Sequence, residues 1–377
     1  MKLKICMLLE RFYPVVGGTE LQAQRLAVAL INSGNDVFVL TTRLSGFLKF
    51  EVIDGLSIYR SFSRGKGTIS SLFFLFSSFL FLLKNRQKYD IIQVYLASSH
   101  AFPAIIIKKL LGKKIILKFG GARKTGDIET STAKPCGKLK LKIISQNFDA
   151  FVVPSKEVYQ EVVSAGFPEK KISIIANGVD TSRFQPVSDN EKIRLRKLFN
   201  FPSEKLICVY TGRIEKGKGL EILLEVWKKI PEKIMLLIIG EGLLLDELKK
   251  AFPQKNIHFF GFQKNVADFL AVSNLFVLPS FGEGLSNALL EAMSSGLIIL
   301  ANNIPANAEV ITDNHNGLLI DFRDINKAGS TISAISTNIN SYLKLGIHAR
   351  QTVIEKFSLP YIAKKYFQLY KKVLDKT

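Results

Sequence analysis

Cysteine is scarce in this 377-residue chain: Cys6, Cys136 and Cys208 stand far apart, with no CxxC or CxxH spacing. That argues against a disulfide scaffold and a structural zinc site, and fits a reducing compartment. The four histidines (His100, His258, His315, His348) never fall at metal-ligand spacing, so no metal is expected. Acidic side chains also run short. Asp and Glu total 32 against 52 Lys and Arg, a formal charge of +20, and most of the excess lies in residues 1–190. Such a balance favours anionic partners without choosing among phosphorylated substrates, acidic lipid headgroups and nucleic acid. No RNP-like aromatic strand, KH loop or recognition helix is present, so nucleic acid is not expected as a partner. No internal repeat is visible, and 26 Gly with 12 Pro exclude collagen-like and low-complexity chains.

Long apolar runs are absent as well. The first strand candidate is cut short by Glu10 and Arg11, which leaves no signal-peptide core. The strongest membrane candidate, Ile69–Leu83, falls short of the ~20 residues a spanning helix needs. It reads as a helix buried between a sheet and its neighbours. The alternative is a membrane-dipping or lipid-acceptor surface, since Lys84, Arg86 and Lys88 follow directly.

What is present is an alternation of short, nearly continuous apolar runs with helical stretches, the pattern of parallel sheets covered on both faces. In the first half the strand candidates are Leu3–Leu9, Val37–Thr41, Ile91–Leu96, Ile115–Phe119, Phe151–Val153 and Ile172–Ile175. Helices are expected over Thr19–Asn32, Ile69–Lys84, Ala101–Leu111, Lys138–Asn147 and Ser155–Ala165. After the polar stretch Phe184–Asn190 and a charged helix, Glu191–Phe199, the pattern restarts. Its strand candidates are Leu206–Tyr210, Ile234–Ile239, Ile257–Phe260, Leu275–Leu278, Leu297–Leu300 and Gly317–Ile320. The expectation is two doubly wound α/β domains, 1–186 and 187–357, with ligands outside the carboxyl ends of the strands and a cleft between the domains. Residues 358–377 form a final amphipathic helix, for which packing on the first domain is one solution.

Three loops at expected strand ends could do chemistry. Gly17-Gly18, between a strand and a helix, is either an anion-binding loop or a tight turn. It is not the GxGxxG of a dinucleotide site. Thr211–Gly219 interleaves Arg213, Lys216 and Lys218 with Gly212, Gly217 and Gly219. Two cations over a helix N-terminus would neutralise a pyrophosphate; a solvated turn is the plain reading. The third, Pro279–Met293, places Glu283 in a glycine-rich turn, Ser286 as an N-cap and Glu291 about two turns into a helix. Two such carboxylates could grip hydroxyls at opposite ends of a nucleotide sugar, with the amides of Gly284 and Leu285 between them for phosphate. A capped helix with two surface acids is the alternative. Gly240-Glu241-Gly242 and Ala301–Pro305 are turns at strand ends, His100 a cap, a packed residue or a substrate contact, and His258 a structural residue.

Taken in order, these features resemble the GT-B-fold retaining glycosyltransferases of family four (group 1). The likeness rests on Ile175–Asp180, Gly212-Arg213…Lys218-Gly219, Ile239–Gly242, Phe260-Gly261, Leu278-Pro279-Ser280…Glu283…Glu291-Ala292-Met293…Gly296 and Asn316–Ile320, with Glu283 and Glu291 at E-x7-E spacing. The resemblance implies a fold of two Rossmann-like, doubly wound parallel-sheet domains facing a central cleft. It implies that the last helix crosses back to the N-terminal domain. It also implies a metal-independent hexosyltransferase with no cofactor beyond its nucleotide-sugar co-substrate. Separately, the basic excess of the first half, the Phe-rich Leu72–Leu83 and the cationic tail (Lys364, Lys365, Lys371, Lys372) suggest a cell-surface glycan or lipid-linked acceptor at the cytoplasmic face of an anionic membrane. Arg213 and Lys218 match the family's pyrophosphate-binding pair, Glu283 the acid on the donor sugar and Glu291 the ribose ligand. Gly17 and Gly18 match the loop near phosphate and acceptor. One departure stands out. Many members carry a histidine after the strand that here is Ile115–Phe119, where this chain has Gly120-Gly121. Lys118, Gly120, Arg123 and Asp127, with His100, are then the acceptor-side candidates. The departure leaves room for a second reading: a nucleotide-sugar-binding protein without transfer activity, or a GT-B epimerase.

Overall fold

Residues 2–13, 17–63, 67–121 and 126–375 are described by the computed structural model. Two units result, Met1–Gly178 with Leu359–Thr377, and Val179–Ser358.

The first unit holds strands β1 (Lys4–Leu8), β2 (Asp36–Thr42), β3 (Phe50–Ile53), β4 (Leu56–Ser61), β5 (Ile91–Tyr95), β6 (Lys114–Lys118), β7 (Ala150–Val153) and β8 (Ile172–Ile174). They form one sheet in the order β3-β4-β2-β1-β5-β6-β7-β8, parallel except for the β3–β4 hairpin. Its helices are α1 (Gly18–Asn32), α2 (Gly67–Lys84), α3 (Phe102–Leu111), α4 (Asp127–Thr132), α5 (Gly137–Asn147) and α6 (Lys156–Ser164). Alternate residues of a strand serve opposite cores. Cys6 and Leu8 of β1 pack with α3 and α5, while Ile5 and Met7 pack with α1 and the C-terminal helix. Covering both faces is why these strands read as unbroken apolar runs.

The second unit begins with α7 (Asp189–Leu198). Strands β9 (Leu206–Thr211), β10 (Ile234–Ile239), β11 (Ile257–Gly261), β12 (Leu275–Leu278), β13 (Ile298–Asn302) and β14 (Leu318–Ile320) follow, interleaved with α8 (Leu220–Trp227), α9 (Leu245–Ala251), α10 (Val266–Val272), α11 (Asn287–Ser294), α12 (Pro305–Ala308), α13 (Ile325–Thr337) and α14 (Leu343–Lys356). The sheet is all parallel, in the order β11-β10-β9-β12-β13-β14. Strand order reverses beside β9, so ligand chemistry is expected between the carboxyl ends of β9 and β12.

Two expectations need correction. The chain enters the second unit after Gly178 rather than after Pro186. Phe184 is the cause: its ring packs in the second unit's core, and its carbonyl accepts bonds from Ser294 and Arg350. The hairpin β3–β4 was absent from the expected strands. The last helix, α15 (Leu359–Leu374), belongs to the first unit. It lies along α1 and buries Ile362, Tyr366, Leu369, Tyr370 and Val373.

Candidate active site

Loop geometry at the carboxyl edge of the second sheet follows from close backbone approach. After β9, Gly212 N–H bonds to Ile239 O at 3.0 Å and Ile214 N–H to Glu241 O at 2.8 Å. Gly240 sits at φ +145°, and a Cβ there would lie 1.8 Å from Gly212 O. Gly219, at φ +72°, precedes α8; its Cβ would lie 2.2 Å from Pro279 O. Only glycine lets the loops after β9, β10 and β12 come this close. Phe281 N–H bonds to Gly217 O at 3.1 Å, which joins the glycine-rich turn to the basic loop.

That lacing brings two of the expected site residues together. Lys218 Nζ lies 2.8 Å from Glu283 Oε1, with the side chains 20% and 12% exposed. Arg213 is placed differently: its guanidinium pairs with Glu215 at 2.9 Å and is 58% exposed. Its backbone is held by Tyr210, whose buried hydroxyl donates to Arg213 O at 2.9 Å. Ser286 caps α11 by accepting Leu289 N–H. Glu291 is buried on that helix and engaged by protein neighbours, so it is no surface acid. Among the described residues, the amides of Gly284 and Leu285 donate to no protein acceptor. They stand just ahead of α11, where the helix dipole favours negative charge.

The Ala301–Pro305 segment, expected only as a turn at a strand end, supplies a brace of this edge. Asn302, at the end of β13, donates to Ser280 O at 3.2 Å, and its Oδ1 accepts Phe322 N–H. The signal was an asparagine ending an otherwise apolar strand. Buried amides of this kind persist where every hydrogen bond is made.

In the first unit, Gly17 caps α1 and Gly18 opens it. A Cβ on Gly17 would meet the Glu20 carboxylate at 2.5 Å, so that acid folds back over the helix N-terminus, as in a capping box. Gly120 lies beside Thr19 of the same turn. Arg123 falls outside the described residues. The other acceptor-side candidates are corrected by burial, since an interior polar group must find partners. Asp127 accepts Gly120 N–H at 2.6 Å and Ala97 N–H at 2.9 Å, tying the ends of β6 and β5. Burial pushes its carboxyl up to about 6. His100 places Nδ1 2.6 Å from Ser98 Oγ and Nε2 2.5 Å from Tyr95 O, and burial lowers its affinity for a proton. Lys118 is only 4% exposed. Its ammonium donates to Asn177 Oδ1 at 3.0 Å and lies over the rings of Tyr95 and Tyr366. Desolvation lowers it to about 8. All three shape the edge; none turns its polar end to solvent.

Residues 191–352 match the family model for glycosyl transferases group 1, and residues 16–183 match that for glycosyltransferase family 4. The chain is 24% identical over 390 residues to N-acetyl-alpha-D-glucosaminyl L-malate synthase of Bacillus anthracis, covering 99% of this chain and 98% of that one. Over 165 residues (41% of this chain, 42% of the relative) it is 30% identical to the Escherichia coli UDP-Gal:alpha-D-GlcNAc-diphosphoundecaprenol alpha-1,3-galactosyltransferase. Among solved structures, Anabaena HepE in complex with UDP and glucose superposes with a TM-score of 0.80 at 16% identity, over 98% of this chain and 100% of that one. Sucrose-phosphate synthase from Thermosynechococcus elongatus reaches 0.83 at 18% identity, with both chains covered in full. With both of its Rossmann-like halves matched by glycosyltransferase models, the protein belongs to the group 1, family four glycosyltransferases of GT-B fold.

Proposed function

We propose that the protein is a retaining, metal-independent hexosyltransferase. It would move a hexosyl unit from a nucleotide sugar to a hydroxyl of a cell-surface glycan or lipid-linked acceptor. One observation carries the reading: the Lys218–Glu283 ion pair at the carboxyl edge of the second sheet, next to the amides of Gly284 and Leu285. An ammonium and amides that, among the described residues, donate to no protein acceptor suit a diphosphate at a helix start, and fixed donors aimed at developing charge are the dominant catalytic term expected when a nucleoside diphosphate leaves. Lys218, with Arg213 swung in from its exposed pair, supplies the cationic charge that a metal would otherwise bring. Glu283 orients the sugar hydroxyls and stabilises the oxocarbenium-like sugar, and Glu291 holds the ribose. The C1–O bond to diphosphate breaks as the acceptor oxygen bonds C1 on the same face. The acceptor proton passes to the departing phosphate oxygen, so no side-chain base is demanded. A lipid-linked acceptor draws support from the basic excess of the chain and from the Escherichia coli relative, a GlcNAc-diphosphoundecaprenol galactosyltransferase.

The test is turnover in Glu283→Ala, Arg213→Ala and Lys218→Ala. Each should lose about 10²–10³ in rate, the cost typical of removing one preorganised group, with melting unchanged. Rates like wild type in all three would defeat the assignment. Addition of a chelator should leave turnover unaltered. Release of nucleoside diphosphate only when acceptor is present separates transfer from mere binding or epimerisation.

A further inference from the structure

We propose that the outward face of α2, with the neighbouring part of α3, is a docking surface for an anionic lipid bilayer. Ile69, Leu72, Phe73, Phe76 and Leu80 are each between 41% and 64% exposed. At about 100° per residue they share one helical arc of roughly 100°. Lys84 stands at its edge. The opposite face is already in use, since Phe74, Ser78 and Leu82 are buried on the sheet side. α2 is thus apolar on two faces, and only one is covered among the described residues. The bare face also extends beyond the helix. Ile106 and Leu110 are exposed on α3, which packs beside α2, and exposed Phe62 meets the Phe73 ring edge-on at 5.7 Å. Scattered apolar residues need no explanation; a contiguous surface marks an interaction site.

Charge selects the occupant. From Gly67 to Lys84 the helix contains no acidic residue. Exposed Lys84, Arg86 and Lys88 follow it, and exposed Lys109 lies between Ile106 and Leu110. Nearby acids are spoken for: Asp90 pairs with Lys113 and Asp149 with Lys108. A second copy of the chain would set these cations against their own kind, whereas acidic headgroups meet them with opposite charge. An apolar arc flanked by cations suits a helix lying in the headgroup boundary. Crossing is ruled out for α2 because its other face is committed to the sheet, and no helix among the described residues is long and apolar enough to span. The proposal rests on the transferase reading for its purpose, access to a lipid-linked acceptor, and on geometry alone for its location.

The experiment floats the full chain with vesicles of phosphatidylcholine, and of phosphatidylcholine doped with phosphatidylglycerol. Binding to the doped vesicles, weakened by salt, is expected. The combined variant Leu72→Ser/Phe73→Ser/Phe76→Ser should lower the partition coefficient at least about tenfold. Lys84→Glu/Arg86→Glu/Lys88→Glu should erase the preference for phosphatidylglycerol. Failure of the wild type to bind either vesicle overturns the proposal, as does equal binding by both variants. So does a dimer that the serine variant converts to monomer while vesicle binding persists, which would give the face to a second copy. The melting shift produced by a nucleotide sugar serves as control. It should survive in both variants, and its absence from the wild type would count against the transferase reading instead.

Discussion

At the carboxyl edge of the second sheet, glycines let loops approach backbone to backbone, with Asn302 as an added brace; at that of the first, buried charged and polar side chains carry more of the tying. The second edge has Gly219 and Gly240 packed against the carbonyls of neighbouring loops, Pro279 O and Gly212 O, and Gly212 against the Tyr210 ring of its own strand. At the first, Asp127 bridges Gly120 and Ala97, His100 spans Ser98 and Tyr95 O, and Arg60 reaches Tyr13 O at 2.8 Å and Glu51. Backbone lacing leaves few substitutions open, since it needs residues without side chains. Side-chain ties can be rewired one residue at a time. On the proposed reading, the rigid edge is the one that would hold the diphosphate, and the edge tied by side chains the one nearer the acceptor.

The comparison breaks most sharply at the glycines. Gly240→Ala forces a Cβ into Gly212 O in a backbone conformation alanine rarely adopts, so a loss of about 3 kcal/mol or more is expected. Denaturant titration would show it, and the melting shift produced by nucleotide sugar should vanish with it. A stable, donor-responsive variant would mean that the loops are not locked together. Asp127→Ala should cost less, about 2–3 kcal/mol, for one buried and one partly buried N–H left without acceptors. Here KM for acceptor should rise while the donor-induced shift stays, and the reverse pattern would erase the distinction between the edges.

Lys118 gives a pH test. Its folded value is lowered to about 8 from 10.5 by burial, so the folded state carries a cost while the ammonium is charged. That cost is full below pH 8 and lifts as pH rises toward 10.5, because the unfolded chain then binds more protons. Lys118→Met should therefore be more stable than wild type near pH 7 by about 1–2 kcal/mol, with the advantage shrinking between pH 8 and 10. A pH-independent difference would place the ammonium in water. Ser286→Ala should be the mildest change, about 1 kcal/mol for a lost N-cap, and mainly a stability effect.

Much of this was legible before any fold was in view. Strands buried on both faces are apolar at every position, so most of them stood out as runs. The hairpin was missed because β3 and β4 lie at the sheet edge with mixed exposure. Its signal was Asp54-Gly55, both at positive φ, the two-residue turn that joins such strands. Ser286 was readable as a cap because its partner lies three residues away.

The amino-acid sequence alone determined the two-unit α/β architecture and the family, because these depend on local periodicity and on short spacings. Only the tertiary structure decided that Lys218 meets Glu283, 65 residues on, while Arg213 turns to Glu215. It alone decided that Lys118, Asp127 and His100 are interior ties, and that one face of α2 stays bare among the described residues. A pattern along the chain reveals which side chains shun water. Which distant partner answers a buried charge depends on the geometry that brings strand ends together.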